Sequence, residues 1–403
     1  MQTTPASPSP APESTRLLGR NMALVCLAQT AGYGASAFLA PLLPLFLVSQ
    51  GHAEAFIGLV LGAFNVASFA SRPVWGMLSD RGSPRPALIV AGLLVAAAYA
   101  GYLLPGVVLI FGVRAVQGIG WGGVNVVGSA WVAALAPVSR RAEALGWYTM
   151  AQRMGTAVGP VSALWSIDHL GYPLSFLMGA CAAGFIAVAA FFTRSTRAAA
   201  RPAAPAAPRR FSLNAIVEPG ALLGAGLITL MTFTGPAMNA YMPLYFRNLG
   251  LEHVELYYLA FGATGIVCRP FIGRFADRMN RLQAIALGFA LQVAGLAVLV
   301  FSGALPGIVA GMVVHTVGYA ISEPCLYALA LDRSPSHRRG AAMATVTMAF
   351  QLGGGLGASG IGALFQFVGY REAYALLLLP VAAALVVAVG AWWRLRRVGQ
   401  GAG

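Results

Sequence analysis

Long apolar runs alternate with short polar or arginine-bearing breaks along the whole chain. A helix needs about 20 apolar residues to cross the hydrocarbon core of a bilayer. On that scale the pattern predicts twelve spans. Six cover 22–48, 56–77, 87–104, 107–134, 144–165 and 172–192, and six more cover 213–246, 256–275, 284–301, 307–331, 341–368 and 374–393. The first run is too long for the core of a signal peptide and is followed by further spans, so it reads as a membrane helix. The one sizeable internal break runs from Arg194 to Phe211, with Pro202, Pro205 and Pro208 among alanines and arginines. That composition predicts an extended linker. The expected division is a disordered tail over 1–15, a six-helix unit over 16–193, a linker over 194–212, a second six-helix unit over 213–397 and a tail over 398–403.

Composition agrees with the pattern: 58% of residues are hydrophobic and 9% charged, where a soluble domain carries about 25% charged. A net charge of +14 raises the question of nucleic acid, and the placement of the charge answers it. All 26 basic residues are arginine. Arg247 and Arg371 fall in loops on one side, Arg72, Arg114, Arg153 and Arg269 lie within spans, and the rest gather on the side of the termini and the linker. This is the positive-inside asymmetry, which predicts a multi-pass protein of the cell inner (plasma) membrane with both termini cytoplasmic. The bilayer, not nucleic acid, is the partner expected. Cys26, Cys181, Cys268 and Cys325 stand singly inside apolar runs, without metal-ligand or disulfide spacing.

One polar stretch occurs twice. Arg72-Pro73-Val74-Trp75-Gly76-Met77-Leu78-Ser79-Asp80-Arg81 returns 197 positions later as Arg269-Pro270-Phe271-Ile272-Gly273-Arg274-Phe275-Ala276-Asp277-Arg278. Arg338-Arg339 likewise echo Arg140-Arg141, so the chain reads as a duplication. Each long stretch is expected to form a tight charged turn between two spans. Gly76 and Gly273 would let helices approach, and Asp80 would accept from basic side chains and cap a helix N-terminus.

The first copy, extended to Arg85, resembles the charged loop motif between the second and third helices of the major facilitator superfamily, and the second copy resembles its echo in the other half. The resemblance implies an all-α membrane protein of twelve helices in two pseudo-symmetric six-helix bundles. It also implies a conformational gate on the cytoplasmic side, built from Arg72, Gly76, Asp80, Arg81 and Arg85 with Arg269, Gly273, Asp277 and Arg278. Arg114-Ala115-Val116-Gln117-Gly118 resembles a second family motif, whose buried arginine is linked to proton transfer. Gly146, Gly155, Gly159 and Pro160 match the spacing of a motif associated with antiporters, and Pro160 is expected to bend its helix. Helix 1 has no acidic residue, unlike many drug/proton antiporters of this kind.

Polar residues inside spans supply the remaining candidates. Arg114, Gln117, Trp121 and Asn125 share one helical face, and so do His315, Tyr319 and Glu323. An ionisable side chain within a membrane faces a cavity or a partner. Proton coupling is expected of Arg114, as the motif resemblance implies, and of Glu323, as an acidic side chain within a span. Gln29, Tyr33, Asn65, Gln117, Trp121, Asn125, Arg153, Asn239, Tyr241, His315, Tyr319 and Gln351 are expected to line a substrate cavity. A fixed Arg–Gln contact for Arg114 and a permanent ion pair for Glu323 are the structural alternatives. Gly118-x-Gly120-x-x-Gly123 has dinucleotide-binding spacing but lies inside a span with no strand before it, so helix packing is its reading.

The function expected is secondary active transport: proton-coupled export of a small organic molecule by alternating access, in a monomer that needs no cofactor beyond the proton gradient and no metal. Uptake of a carboxylate or sugar by a proton symporter or facilitator is the alternative. A receptor would need a cytoplasmic output domain and a membrane enzyme a catalytic constellation, and neither pattern is present.

Overall fold

The structure, a computed structural model, describes residues 19–81, 83–104, 106–137, 140–193, 217–268, 279–335 and 338–400. The expected tail over 1–15, the linker over 194–212 and the whole second charged stretch, including Arg269, Gly273, Asp277 and Arg278, lie outside the described residues. So do the side chains of Asp80 and Arg81.

Every described element is helical. The first half comprises α1 (Arg20–Ser49), α2 (Glu54–Arg81), α3 (Pro84–Gly101), α4 (Val107–Leu135) and α5 (Arg141–Phe192). At 52 residues α5 is too long for one crossing, and its path turns at Gly171, whose φ of 75° and ψ of 174° are not helical. Positive φ there suits glycine, and α5 thus contains both the fifth and sixth spans. The second half comprises α6 (Leu222–Thr232), α7 (Met242–Asn248), α8 (Val254–Val267), α9 (Arg281–Ser302), α10 (Leu305–Asp332), α11 (Arg339–Val368), α12 (Tyr370–Leu376) and α13 (Leu378–Gln400). Ten described stretches are long and apolar enough to cross a membrane. Counting α5 twice and adding the shorter apolar helix α8 brings the number to twelve.

Two local expectations change. The continuous helix expected over 213–246 is interrupted: a 3-10 turn at Pro219–Ala221 leads into α6, and a π-helical turn at Ala237–Tyr241 leads into α7. Pro236, with no backbone N–H to donate, stands at the junction. The first charged stretch is not a turn. Arg72 through Arg81 are the last turns of α2, Pro73 is inside the helix, and the connection is confined to residues 82 and 83.

Within the first half α1 packs along α5, α2 along α4, and α3 between α4 and α5; within the second, α9 packs along α10 and α13, and α11 along α6. Between the halves α2 runs along α11, α5 meets α8, and α1 meets the π-helical turn and α7. The closest of these contacts lie toward the end opposite the chain termini. A methyl group at Gly58 of α2 would come within 2.6 Å of the Ala358 carbonyl oxygen on α11. Small residues there let the two backbones touch. Ser359 Oγ donates to the Gly58 carbonyl at 3.4 Å, and Tyr370 Oη donates to Glu54 Oε1 at 2.7 Å. The halves are therefore zipped together at the end away from the termini.

Candidate functional site

Four side chains from four helices meet at one depth. Tyr33 on α1, Arg72 on α2, Arg153 on α5 and Glu323 on α10 each stand roughly 14–20 Å along their helices from the termini end, by the 1.5 Å rise per residue. That is near the middle of a hydrocarbon core about 30 Å thick. Arg153 Nη2 and Glu323 Oε2 form an ion pair at 3.0 Å that joins the two halves. Their side chains keep 32% and 17% exposure, so solvent reaches the pair although it lies deep within the bundle. Tyr33 lies within electrostatic range of Arg153, Arg72 and Glu323. Tyr319 lies within range of Arg153. Tyr327, one turn beyond Glu323, lies within range of Glu323, Arg72 and Arg153.

An aromatic and polar wall from the first half continues this cluster. Tyr33 Oη donates to Asn125 Oδ1 at 2.6 Å, and the Tyr33 and Trp121 rings are 4.7 Å apart. Phe64 follows, 6.5 Å from Trp121. Asn65 bonds back to Leu61 of its own helix at 3.2 Å, with Gly354 of α11 close to its amide. Gln351 reaches from α11 to Ser68 Oγ on α2 at 3.2 Å.

Several candidates stand elsewhere. Arg114 does not approach Glu323. Its Nη1 donates to Gln117 Oε1 at 2.7 Å, the same oxygen accepts from Tyr102 Oη at 2.9 Å, and the guanidinium lies 4.5 Å from the Phe64 ring centre. This is the fixed Arg–Gln contact, inside the first half. Gln29 is fully buried and donates to the Val124 carbonyl at 3.2 Å. Asn239 bonds to the Gly235 carbonyl at 2.8 Å, and Tyr241 is enclosed beside Phe365. His315 leaves the Tyr319–Glu323 face. Each i+4 step drifts about 40° around a 3.6-residue helix, and His315 falls on the buried side of α10, where Gly295 of α9 approaches its backbone.

The gate residues also divide. Among the described residues, no atom lies within 4 Å of where a Cβ on Gly76 would stand, so none of them makes a close approach there. Arg85 donates to the Phe191 carbonyl at 2.5 Å and lies 5.1 Å from the Phe191 ring centre, which ties α3 to the end of α5 within one half. Arg72 faces the central cluster. Of the antiporter-type spacing, Gly159 seats α5 against α1, with the Gly34 carbonyl 2.5 Å from a would-be Cβ, and Gly155 does the same against Thr30. Pro160 is buried beside them, whereas Gly146 meets nothing among the described residues. Tyr327 went unnoticed in the sequence, although it extends the i+4 series of Tyr319 and Glu323.

The chain is 23% identical over 354 residues to an uncharacterised MFS-type transporter of Methanocaldococcus jannaschii, covering 84% of this chain and 89% of that one. It is 24% identical over 261 residues to a homologue of the multi-drug resistance efflux pump PmrA from Lactococcus lactis, covering 62% of this chain and 64% of that protein. The solved structure of a D-xylose–proton symporter superposes with a TM-score of 0.73 at 17% identity, over 91% of this chain and 96% of that one. The family model for the Major Facilitator Superfamily matches residues 25–358 and 260–402. A multi-pass, all-helical chain with this match belongs to the Major Facilitator Superfamily of transporters.

Proposed function

We propose that this transporter exports a small organic molecule in exchange for protons. It would work as a monomer in the inner membrane with both termini and the linker cytoplasmic. The observation that carries this reading is the Arg153–Glu323 pair, which joins the halves at mid-depth and stays open to solvent. With the termini cytoplasmic, the zipped end faces outward and the structure corresponds to an inward-facing state. Rocking the halves about the central cluster would move α5 relative to α10 and part the pair. A carboxylate left without its arginine inside a membrane protein is costly, and taking up a proton removes that cost. Protonation of Glu323 and separation of the halves are thereby coupled. Arg114, held by Gln117 and Tyr102, is a structural support in this scheme and not the proton carrier.

Export is favoured by the α1/α5 seat built on Gly155, Gly159 and Pro160, and by the efflux activity named for the PmrA homologue. The test uses purified protein in liposomes with an imposed pH gradient. Glu323→Gln is expected to abolish gradient-driven accumulation while substrate exchange at equal pH survives. Full gradient-driven transport by Glu323→Gln would refute the coupling role. Accumulation that follows the proton gradient inward, with the proton, would refute exchange in favour of symport.

A further inference from the structure

We propose that Arg72 is the docking point for the anionic group of the transported molecule, and that the substrate class is a small organic monoanion, a carboxylate or sulfonate with a flat apolar body. The inference rests on the transport reading above and adds to it what the central cluster selects.

The argument starts from charge. Among the described residues, the central cluster contains two guanidinium groups, Arg72 and Arg153, and one carboxylate, Glu323. Arg153 has the carboxylate at 3.0 Å. Arg72 has no such partner: its Nε is buried without a hydrogen bond, and the side chains in its electrostatic surroundings are Tyr33 and Tyr327. Asp80 stands eight residues farther along α2, about 12 Å away along the helix axis. A cation at mid-depth in a membrane protein is costly unless something compensates it. Nothing described does so, and a single negative charge would bring the cluster to neutrality. An arginine is always charged and presents planar N–H donors that match a carboxylate or sulfonate two oxygens at a time.

Position adds the second line. Tyr33 connects Arg72 to Trp121, with rings 4.7 Å apart, and Phe64 lies beyond. A molecule whose anionic head meets Arg72 therefore finds aromatic faces next to it, suited to a flat apolar body. A cation at the same place would meet the repulsion of Arg72. A neutral polar molecule would leave the arginine charge as uncompensated as before.

The test measures thermal stabilisation of the purified full-length protein by four probes of one shape: benzoate, benzenesulfonate, benzamide and benzylamine. Binding to the folded state raises the melting temperature by mass action. The two anions are expected to stabilise the wild type, and the amide and amine are not. Arg72→Gln should weaken the anions at least tenfold, Arg72→Lys should retain part of the effect, and the double substitution Arg153→Gln/Glu323→Gln should keep it. Without ligand, Arg72→Gln should melt at or above the wild-type temperature, because an uncompensated buried charge is removed, whereas loss of a structural ion pair would lower it. Equal shifts for anions, amide and amine, including no shift at all, overturn the inference, and so does unchanged anion binding in Arg72→Gln. Failure here is distinct from failure of the transport reading. A protein that accumulates a neutral compound through Glu323 while ignoring the anions keeps the transport reading and loses this one.

Discussion

Removing one partner of the Arg153–Glu323 pair tests the physical core of the mechanism. At a 3.0 Å contact the charge centres are about 4 Å apart, worth about 4 kcal/mol at an effective dielectric constant near 20. The exposures of 32% and 17% reduce this, because water screens what it reaches. A surface pair contributes about 0–1 kcal/mol, and stripping one partner from a fully buried pair costs about 3–5 kcal/mol. A coupling energy of about 2 kcal/mol between those limits is expected. Glu323→Gln leaves Arg153 and Arg72, both on the first half, beside each other without a carboxylate, so it should melt lower than the wild type by a few degrees. Adding Arg153→Gln removes the stranded charge and should recover most of that loss. The assay is a double-substitution thermal cycle on purified protein, run beside counterflow exchange in liposomes to show that each variant remains folded. If the losses of Glu323→Gln and Arg153→Gln simply add in the double variant, the pair contributes no coupling energy and cannot link protonation to the separation of the halves.

Three further outcomes are expected. Tyr370→Phe removes the hydroxyl that donates to Glu54 at 2.7 Å; a hydrogen bond to a charged group contributes about 1.5–3 kcal/mol, so thiol labelling of Ser359→Cys from the zipped end should rise at least tenfold, and unchanged labelling would contradict the zip. Gly58→Ala puts a methyl group against the Ala358 carbonyl and should depress transport, whereas Gly76→Ala meets nothing among the described residues and should be silent or slightly stabilising, by about 0.5–1 kcal/mol; equal damage from both would refute the contrast. Export of a monoanion in exchange for one proton moves two charges per cycle in the same electrical sense, so a potential of 100 mV should contribute about 4.6 kcal/mol, and an electroneutral cycle measured on a supported membrane would contradict the combined reading.

Hydropathy alone determined the membrane character and the spans, because a bilayer demands about 20 apolar residues wherever a helix crosses it. That requirement is local, so it is written into each run separately, and the boundaries of α1, α4, α9, α10 and α11 fall within a few residues of the apolar runs. The duplication was equally legible, through Arg-Pro-x-x-Gly-x-x-x-Asp-Arg at two places. The i+4 spacing of Tyr319 and Glu323 correctly put them on one face, but the same spacing misled at His315, where helical drift carries the side chain to the buried side of α10. Tertiary structure alone decided the partners. Glu323 is 170 positions from Arg153, and nothing in either neighbourhood distinguishes Arg153 from Arg114 as its counterion. Arg72 changed most: its motif reads as a turn, yet α2 continues through Arg81 and carries Arg72 inward to Tyr33 and Tyr327. Spacing along a chain specifies which residues share a helix face, whereas the neighbour that face meets depends on how separate helices are rotated and stacked against one another.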